Sequence, residues 1–322
     1  MDRLRRRASA LGLTIAVAIA GGAFAVADAP LRAVRWLAPD ADLARVLGQA
    51  PTECLAPAPD PENAYRIEVG RAAFRSPLLL GGQAARAGLA CESCHREGRS
   101  NPDFQFPGVS GSPGTADVTS SLFSSHRGDD LDNPRPIPDL SGPTAGLKVS
   151  RQPDARLLQS FVHGLITEEF DGAEPPPRVL EGLVAYVRAL SPGACPASPT
   201  RALKVADLVE DARRAARTGL MASDRRDVPT AIAMVQAARG RLGLIFERYD
   251  GPGLAAERAA LTTSDDELAA VLAQLRADDP WAETSLRAWL ARSDRLERRL
   301  AAAESRSLFD PLRLAVLAHA AK

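Results

Sequence analysis

Cys91-Glu92-Ser93-Cys94-His95 is the run of residues in this chain with the most specific chemistry. Two thiols three positions apart, with a histidine beside the second, form C-x-x-C-H, the attachment pattern of c-type haem. Thiols at that spacing reach the two vinyl groups of one porphyrin, and the adjacent histidine faces the iron as its proximal ligand. A C-x-x-C pair can also hold zinc or exchange disulfides. Zinc would need a second pair of ligands near by, and none is present. Thiol exchange would have no use for His95. The motif therefore predicts one covalent haem c, held by Cys91 and Cys94 with His95 on the iron.

The other two cysteines, Cys54 and Cys195, lie on either side of that motif, 141 positions apart. In an oxidising compartment such a remaining pair tends to form a disulfide. The alternatives are two free thiols, or a lipid anchor at Cys54, which sits too far beyond the apolar run for that role. The N-terminus supplies the oxidising compartment. Arg3, Arg5, Arg6 and Arg7 precede an uncharged stretch from Ala8 to Ala27, which ends in the small residues Ala25-Val26-Ala27. This is the layout of a secretory signal peptide over residues 1–27. The competing reading is an uncleaved inner-membrane anchor, since 20 residues can span a bilayer. Either reading places the rest of the chain in the periplasm.

Helices must position the motif. Asp60-Pro61-Glu62 opens a helical segment that runs through Gly70 to Phe74, and Leu183–Leu190 has apolar residues at helical spacing before Pro192-Gly193 stops it. Between them lies Ile137-Pro138-Asp139-Leu140-Ser141-Gly142. In this order around C-x-x-C-H, the three segments resemble the class I cytochromes c. That resemblance implies that the two helices cross with a glycine under the partner's aromatic ring. It also implies that the Pro138 carbonyl accepts a hydrogen bond from the proximal histidine, setting its tautomer and basicity.

Forty-two residues separate His95 from Pro138, rich in Ser, Gly, Pro and Asp, which reads as a long ordered loop. The methionines are Met1, Met221 and Met234, so none stands where an ordinary cytochrome c supplies its distal ligand. Residues 70–190, including Gly70-Arg71-Ala72-Ala73-Phe74, are similar to the peroxidatic haem half of the bacterial dihaem cytochrome c peroxidase and MauG-like superfamily. The resemblance implies a distal or switchable iron ligand at His126. It also implies a peroxide-cleaving pair at Gln159 and Glu169, ten residues apart in Leu157-Leu158-Gln159 and Glu168-Glu169-Phe170. The chain departs from that family in having a single C-x-x-C-H and no D-G-R before the Gln-bearing helix, where Ser150-Arg151 stands. Of the other candidates for the iron's far side, His163 lies in an apolar helical run and reads as a packed residue. Met221 belongs to the back half, and His319 reads as solvated.

Of 25 prolines only four fall in residues 201–322, which divides the chain into a loop-rich front and a helical back. The back reads as four or five antiparallel helices. Among its signals, Ser264 with Glu267 looks like a capping box, and Asp279-Pro280 like a helix start. The expected fold is mainly α: a signal or anchor over 1–27, a linker over 28–59, a monohaem cytochrome c domain over 60–196 and a helical bundle over 200–322. Forty basic and 40 acidic side chains leave no net charge, which removes the electrostatic case for nucleic acid or anionic lipid as the main partner. Two function classes follow. The first is one-electron transfer with a redox partner protein; the second is reduction of hydrogen peroxide. A third and weaker one is haem-based ligand sensing through the helical back.

Overall fold

Asp60 starts the helix that carries the site: its side chain accepts the N–H of Asn63 at 2.8 Å, and Pro61 follows in the first helical position. In the computed structural model, residues 31–119, 122–126, 131–143, 146–152 and 157–320 are described, without the side chains of 318–320. The proposed signal segment lies outside them. The α-helices in chain order are α1 (Leu43–Gly48), α2 (Pro61–Phe74), α3 (Gly82–Ala87), the single-turn α4 (Cys91–Cys94), α5 (Leu157–Gly164) and α6 (Pro177–Ala189). The back contributes α7 (Val205–Asp224), α8 (Val228–Arg248), α9 (Ala255–Arg276), α10 (Ala282–Ala303) and α11 (Pro311–Ala320). Four very short strands complete the chain: β1 (Gln49–Pro51) pairs antiparallel with β4 (Thr200–Ala202), and β2 (Thr115–Ala116) with β3 (Arg135–Pro136). The fold is mainly α. None of the helices among the described residues is long and apolar enough to cross a membrane.

Helices α2 and α6 touch backbone to backbone. A methyl group placed on Gly70 would lie 1.9 Å from the Gly182 carbonyl oxygen, and one on Gly182 would lie 2.8 Å from the Gly70 nitrogen. Glycine is the residue that permits such an approach. This corrects one detail of the expectation, because Gly70 meets a second glycine rather than an aromatic ring. The aromatic contact falls one turn further along, where Tyr186 packs on Phe74 with ring centroids 5.1 Å apart. Tyr186 sits one helical turn beyond Gly182, so both contacts belong to one face of α6.

Two expectations are overturned in the rest of the chain. Residues 31–59 are packed structure and not a linker. Trp36 joins the apolar cluster that holds Leu80, Phe104, Phe123 and Ile137, while Leu43 and Leu47 pack with Leu308 and Leu314. α1 thereby receives α11, which leaves the back bundle to lie against the front of the chain. The supposed helix start at Ser264 lies inside α9, whose residues run unbroken from Ala255 to Arg276. Ser264 Oγ accepts the indole N–H of the buried Trp289 at 2.9 Å, so its hydroxyl serves the core rather than a cap. The front and back do not have separate cores. One cluster of buried side chains runs from Tyr65 and Phe74 through Leu183 and Val209 to Leu272 and Trp289. Cys54 and Cys195 form a disulfide, beside the β1–β4 pairing.

Gly70→Ala should lower the free energy of unfolding by about 2 kcal/mol or more, since the added methyl meets fixed backbone. Gly164→Ala, where nothing lies within 4 Å of the added atom, should be neutral or slightly stabilising. Chemical denaturation of both variants checks the contrast, and equal midpoints would refute the glycine-on-glycine crossing.

Candidate functional site

α4 is only one turn long, and hydrogen bonds at both ends hold it. The Ala90 N–H donates to Ser93 Oγ at 3.1 Å, the Asn101 amide donates to the Ser93 carbonyl at 2.8 Å, and the His95 N–H donates to the Cys91 carbonyl at 2.8 Å. The chain then turns sharply. Glu97 has φ 51° and Gly98 φ 73°, both left-handed, and a methyl on Gly98 would meet the Leu190 side chain at 2.5 Å. From that turn the Gly98 carbonyl accepts the Leu140 N–H at 3.1 Å, which ties the motif to the proline-bearing loop.

That loop delivers the contact on which the histidine depends. His95 Nδ1 lies 3.0 Å from the Pro138 carbonyl oxygen. A carbonyl can only accept, so Nδ1 carries the proton and Nε2 keeps its lone pair. Asp139 stiffens the loop by accepting the Ser141 N–H at 2.8 Å and its hydroxyl at 2.6 Å, and it pairs with Arg99 at 3.3 Å. Arg151 closes the far end by donating to the Gly142 carbonyl at 2.6 Å and to the Leu190 carbonyl. On its other side the imidazole faces Phe74, with centroids 6.4 Å apart. Burial pushes the His95 imidazolium down to about 4, so the ring is neutral at neutral pH.

Cys91 and Cys94 are free thiols, half-buried at the edge of the cluster formed by Trp36, Leu80, Phe104, Phe123 and Ile137. Burial pushes the Cys91 thiol up to about 12 and the Cys94 thiol higher still. Among the described residues no three His, Cys, Asp or Glu side chains converge on one point as a bare metal ion would require. Haem makes no such demand, because the porphyrin brings four nitrogens and asks the protein for one axial donor on this side. A neutral imidazole with a free Nε2, two unbonded thiols one helical turn apart and a cluster of aromatic rings together fit haem c.

The expected residues of the far side are not gathered in one place. The loop carrying His126 is pinned to the end of the π-helical turn Leu165–Glu169 that continues α5. Ser125 donates to Asp171 at 3.0 Å, and Phe123 packs between Phe106 and Phe170 at 5.3 and 5.5 Å. Phe123 thus covers the apolar cluster beside Cys94, while the His126 side chain is 65% exposed and sits 3.8 Å from Asp171. Glu169 is buried next to Phe170. Gln159 is exposed and lines a different groove, over α2 and α6 with Asn63, Ile67 and Val184. His163, expected to be packed, is at the surface and contacts Glu174 at 2.8 Å. Met221 is exposed on α7, and Met234 is fully buried in the bundle core.

An ionic cluster behind the motif escaped the reading of the sequence. The Arg75 guanidinium is buried among Glu53 at 3.1 Å, Glu92 at 3.6 Å, Asp211 at 3.6 Å and Glu97, to which it also hydrogen-bonds. Glu53 further accepts the Tyr186 hydroxyl at 2.8 Å and pairs with Arg71 at 2.5 Å. Burial alone would raise the Glu53 carboxyl, but Arg75 and Arg71 hold it below its ordinary range. The one signal for this cluster was charge within an otherwise helical, half-apolar segment. No protein-family model, curated protein or solved structure matches this chain.

Glu92 carries a pH dependence. Burial first, and then the neighbouring Glu97, lift its carboxyl from 4.5 to about 7. The folded state thus favours the neutral form. The stability that this form contributes is complete below pH 4.5 and is lost as the pH rises through about 7. Over that window unfolding free energy should fall by on the order of 3 kcal/mol, and Glu92→Gln should flatten the slope. Denaturation at the two ends of the window measures it, and a variant with the wild-type slope would assign it elsewhere.

Proposed function

We propose that this protein is an exported monohaem c-type cytochrome that passes single electrons to and from a redox partner protein. The observation that carries the reading is the hydrogen bond from His95 Nδ1 to the Pro138 carbonyl, made by the segments that resemble those of class I cytochromes c. Cys91 and Cys94 would hold the haem as thioethers, and His95 Nε2 would bind the iron. The haem, when bound, supplies a one-electron couple. The chain's part is to hold the imidazole neutral and correctly turned, and to surround the group with Phe74, Phe104, Phe123 and Ile137 so that water is kept away. The Pro138 bond also makes the imidazole a stronger donor, which favours the oxidised iron. A carrier needs no acid–base group, and the scattered positions of Gln159 and His126 agree with that. Export and the Cys54–Cys195 disulfide belong together on this reading.

Reduction of hydrogen peroxide is the second reading, favoured by Glu169, whose carboxyl is buried beside Phe170 at the edge of the same aromatic set. A buried carboxyl in that place could move a proton for a bound peroxide. Gln159, its expected companion, stands on another groove.

Replacing Cys91 and Cys94 together by alanine should abolish haem stain on a denaturing gel of protein matured with haem, and stain that survives would overturn the attachment. His126→Ala should leave the ferric spectrum of the haem-loaded protein unchanged, given the exposed ring beside Asp171. A change from low-spin to high-spin would instead make His126 the distal ligand. Turnover of hydrogen peroxide that falls about 10²-fold or more in Glu169→Gln, with cyanide binding intact, would replace the carrier by the peroxidase.

A further inference from the structure

A cavity of about 180 Å³ lies behind α4, between the segment 31–50 and the helices α7 and α8. Glu92, Ser93 and Arg96 line it, whereas Cys91, Cys94 and His95 do not. Its walls hold far more charge than a protein interior usually tolerates. Part of that charge is paired: Arg32 with Glu247, Arg201 with Asp207 at 2.6 Å, and Arg75 with Glu97. Asp211 is shared between Arg75 at 3.6 Å and Arg214 at 3.7 Å.

Three further arginines on the wall have no carboxylate partner among the described residues. Arg96 donates to the Gln49 carbonyl at 2.6 Å, Arg241 to the Arg75 carbonyl at 2.5 Å, and Arg248 to the Leu308 and Leu47 carbonyls, each at 2.8 Å. Arg241 and Arg248 are each only 7% exposed. A guanidinium has five N–H donors, so each of these side chains keeps donors beyond its one or two carbonyl bonds. Their charges also oppose one another. Burial first, and then the nearby Arg96, push Arg248 down to about 10; burial lowers Arg241 as well, a fall that Asp211 partly offsets and Arg75 deepens. A buried cation without a counter-charge is costly. Against these three cations the wall offers Glu92 and Asp211, the latter shared with Arg214 outside the cavity.

We infer that this cavity is a binding site for a small oxyanion bearing one or two negative charges, such as inorganic phosphate or a short dicarboxylate, held by Arg96, Arg241 and Arg248. Six arginines against five carboxylates on the wall, one of them shared with Arg214, leave between one and two positive charges to balance, and the guanidinium fork matches the paired oxygens of either class. The space suffices for several non-hydrogen atoms and excludes a nucleotide. The inference does not rest on the haem assignment.

The test is titration calorimetry of the full-length, haem-loaded protein with sodium phosphate and, separately, sodium succinate, with sodium chloride as the control for ionic strength. One-site binding of either dianion is expected, and the stronger of the two identifies the class. Arg96→Gln and Arg241→Gln should each weaken that binding about tenfold or more, the loss expected for one charge-assisted hydrogen bond. Arg96 is the more exposed of the two, so its variant keeps the test decisive if Arg241→Gln does not fold. Heats no different from chloride, or undiminished binding by a folded Arg96→Gln, would overturn the site. Binding confined to the haem-free Cys91→Ala, Cys94→Ala protein would overturn it too, because the haem's own carboxylates would then be the anion.

Discussion

Arg75 stands at the end of α2, where that helix, the turn after His95 and the bundle helices α7 and α8 converge. Its guanidinium is buried and reaches carboxylates from around it: Glu53 from the N-terminal segment, Glu92 from the motif, Glu97 from the turn after it, and Asp211 from α7. Its own carbonyl accepts from Arg241 of α8 at 2.5 Å. A lone charge in such surroundings would be strongly unfavourable, and so would each carboxylate without it. The group therefore constrains everything around it, because no one member can move away without stranding the rest. The Phe74 ring beside His95 is the preceding residue, so the anchor that fixes Arg75 also fixes the wall of the site.

The constraint explains why the helical back cannot be treated as an appendage. A haem-binding front that ended at Leu190 would leave the back of α4 and its acidic residues facing water. Here α7 and α8 cover that side, Asp211 enters the ionic cluster, and the apolar core continues from α2 and α6 into α9 and α10. The N-terminal segment closes the third side through Trp36, Leu43 and β1.

Much of this was legible in the sequence, and the reasons are local. Asp60-Pro61 marks a helix start because cap and proline act within one turn, and α2 begins there. Pro192-Gly193 ends α6 for a similar reason, with Leu190 the residue after its last helical one. The Pro138 carbonyl was legible only because a six-residue loop pattern stands in a fixed place relative to C-x-x-C-H. The failures are of the opposite kind. Ser264 has the pattern of a cap, but a tertiary hydrogen bond to Trp289 decided its role. Residues 31–59 lack a periodic apolar stripe because each short piece packs against a different distant element. Gln159 and Glu169 were paired by the resemblance alone, and Glu169 is itself the last residue of a π-helical turn that follows the helix of Gln159.

The disulfide gives the chain a timetable. On the exported haem reading, Cys54 emerges first and must wait for Cys195, while Cys91 and Cys94 emerge between them and must remain reduced. Four thiols allow three complete pairings, and every one of them consumes Cys91 and Cys94; only the single Cys54–Cys195 bridge, with the other two left reduced, keeps the motif usable. In the unfolded chain, pairing of Cys54 with Cys91 closes a shorter loop and is favoured by proximity. Once the front has folded, the order reverses, because burial strips Cys91 and Cys94 of thiolate character and β1 and β4 bring the correct pair together. Maturation of this protein is therefore a contest between oxidation and folding. On the exported haem reading, an early oxidant would trap the motif in a disulfide, and a reductant acting before Cys195 emerges would keep it open.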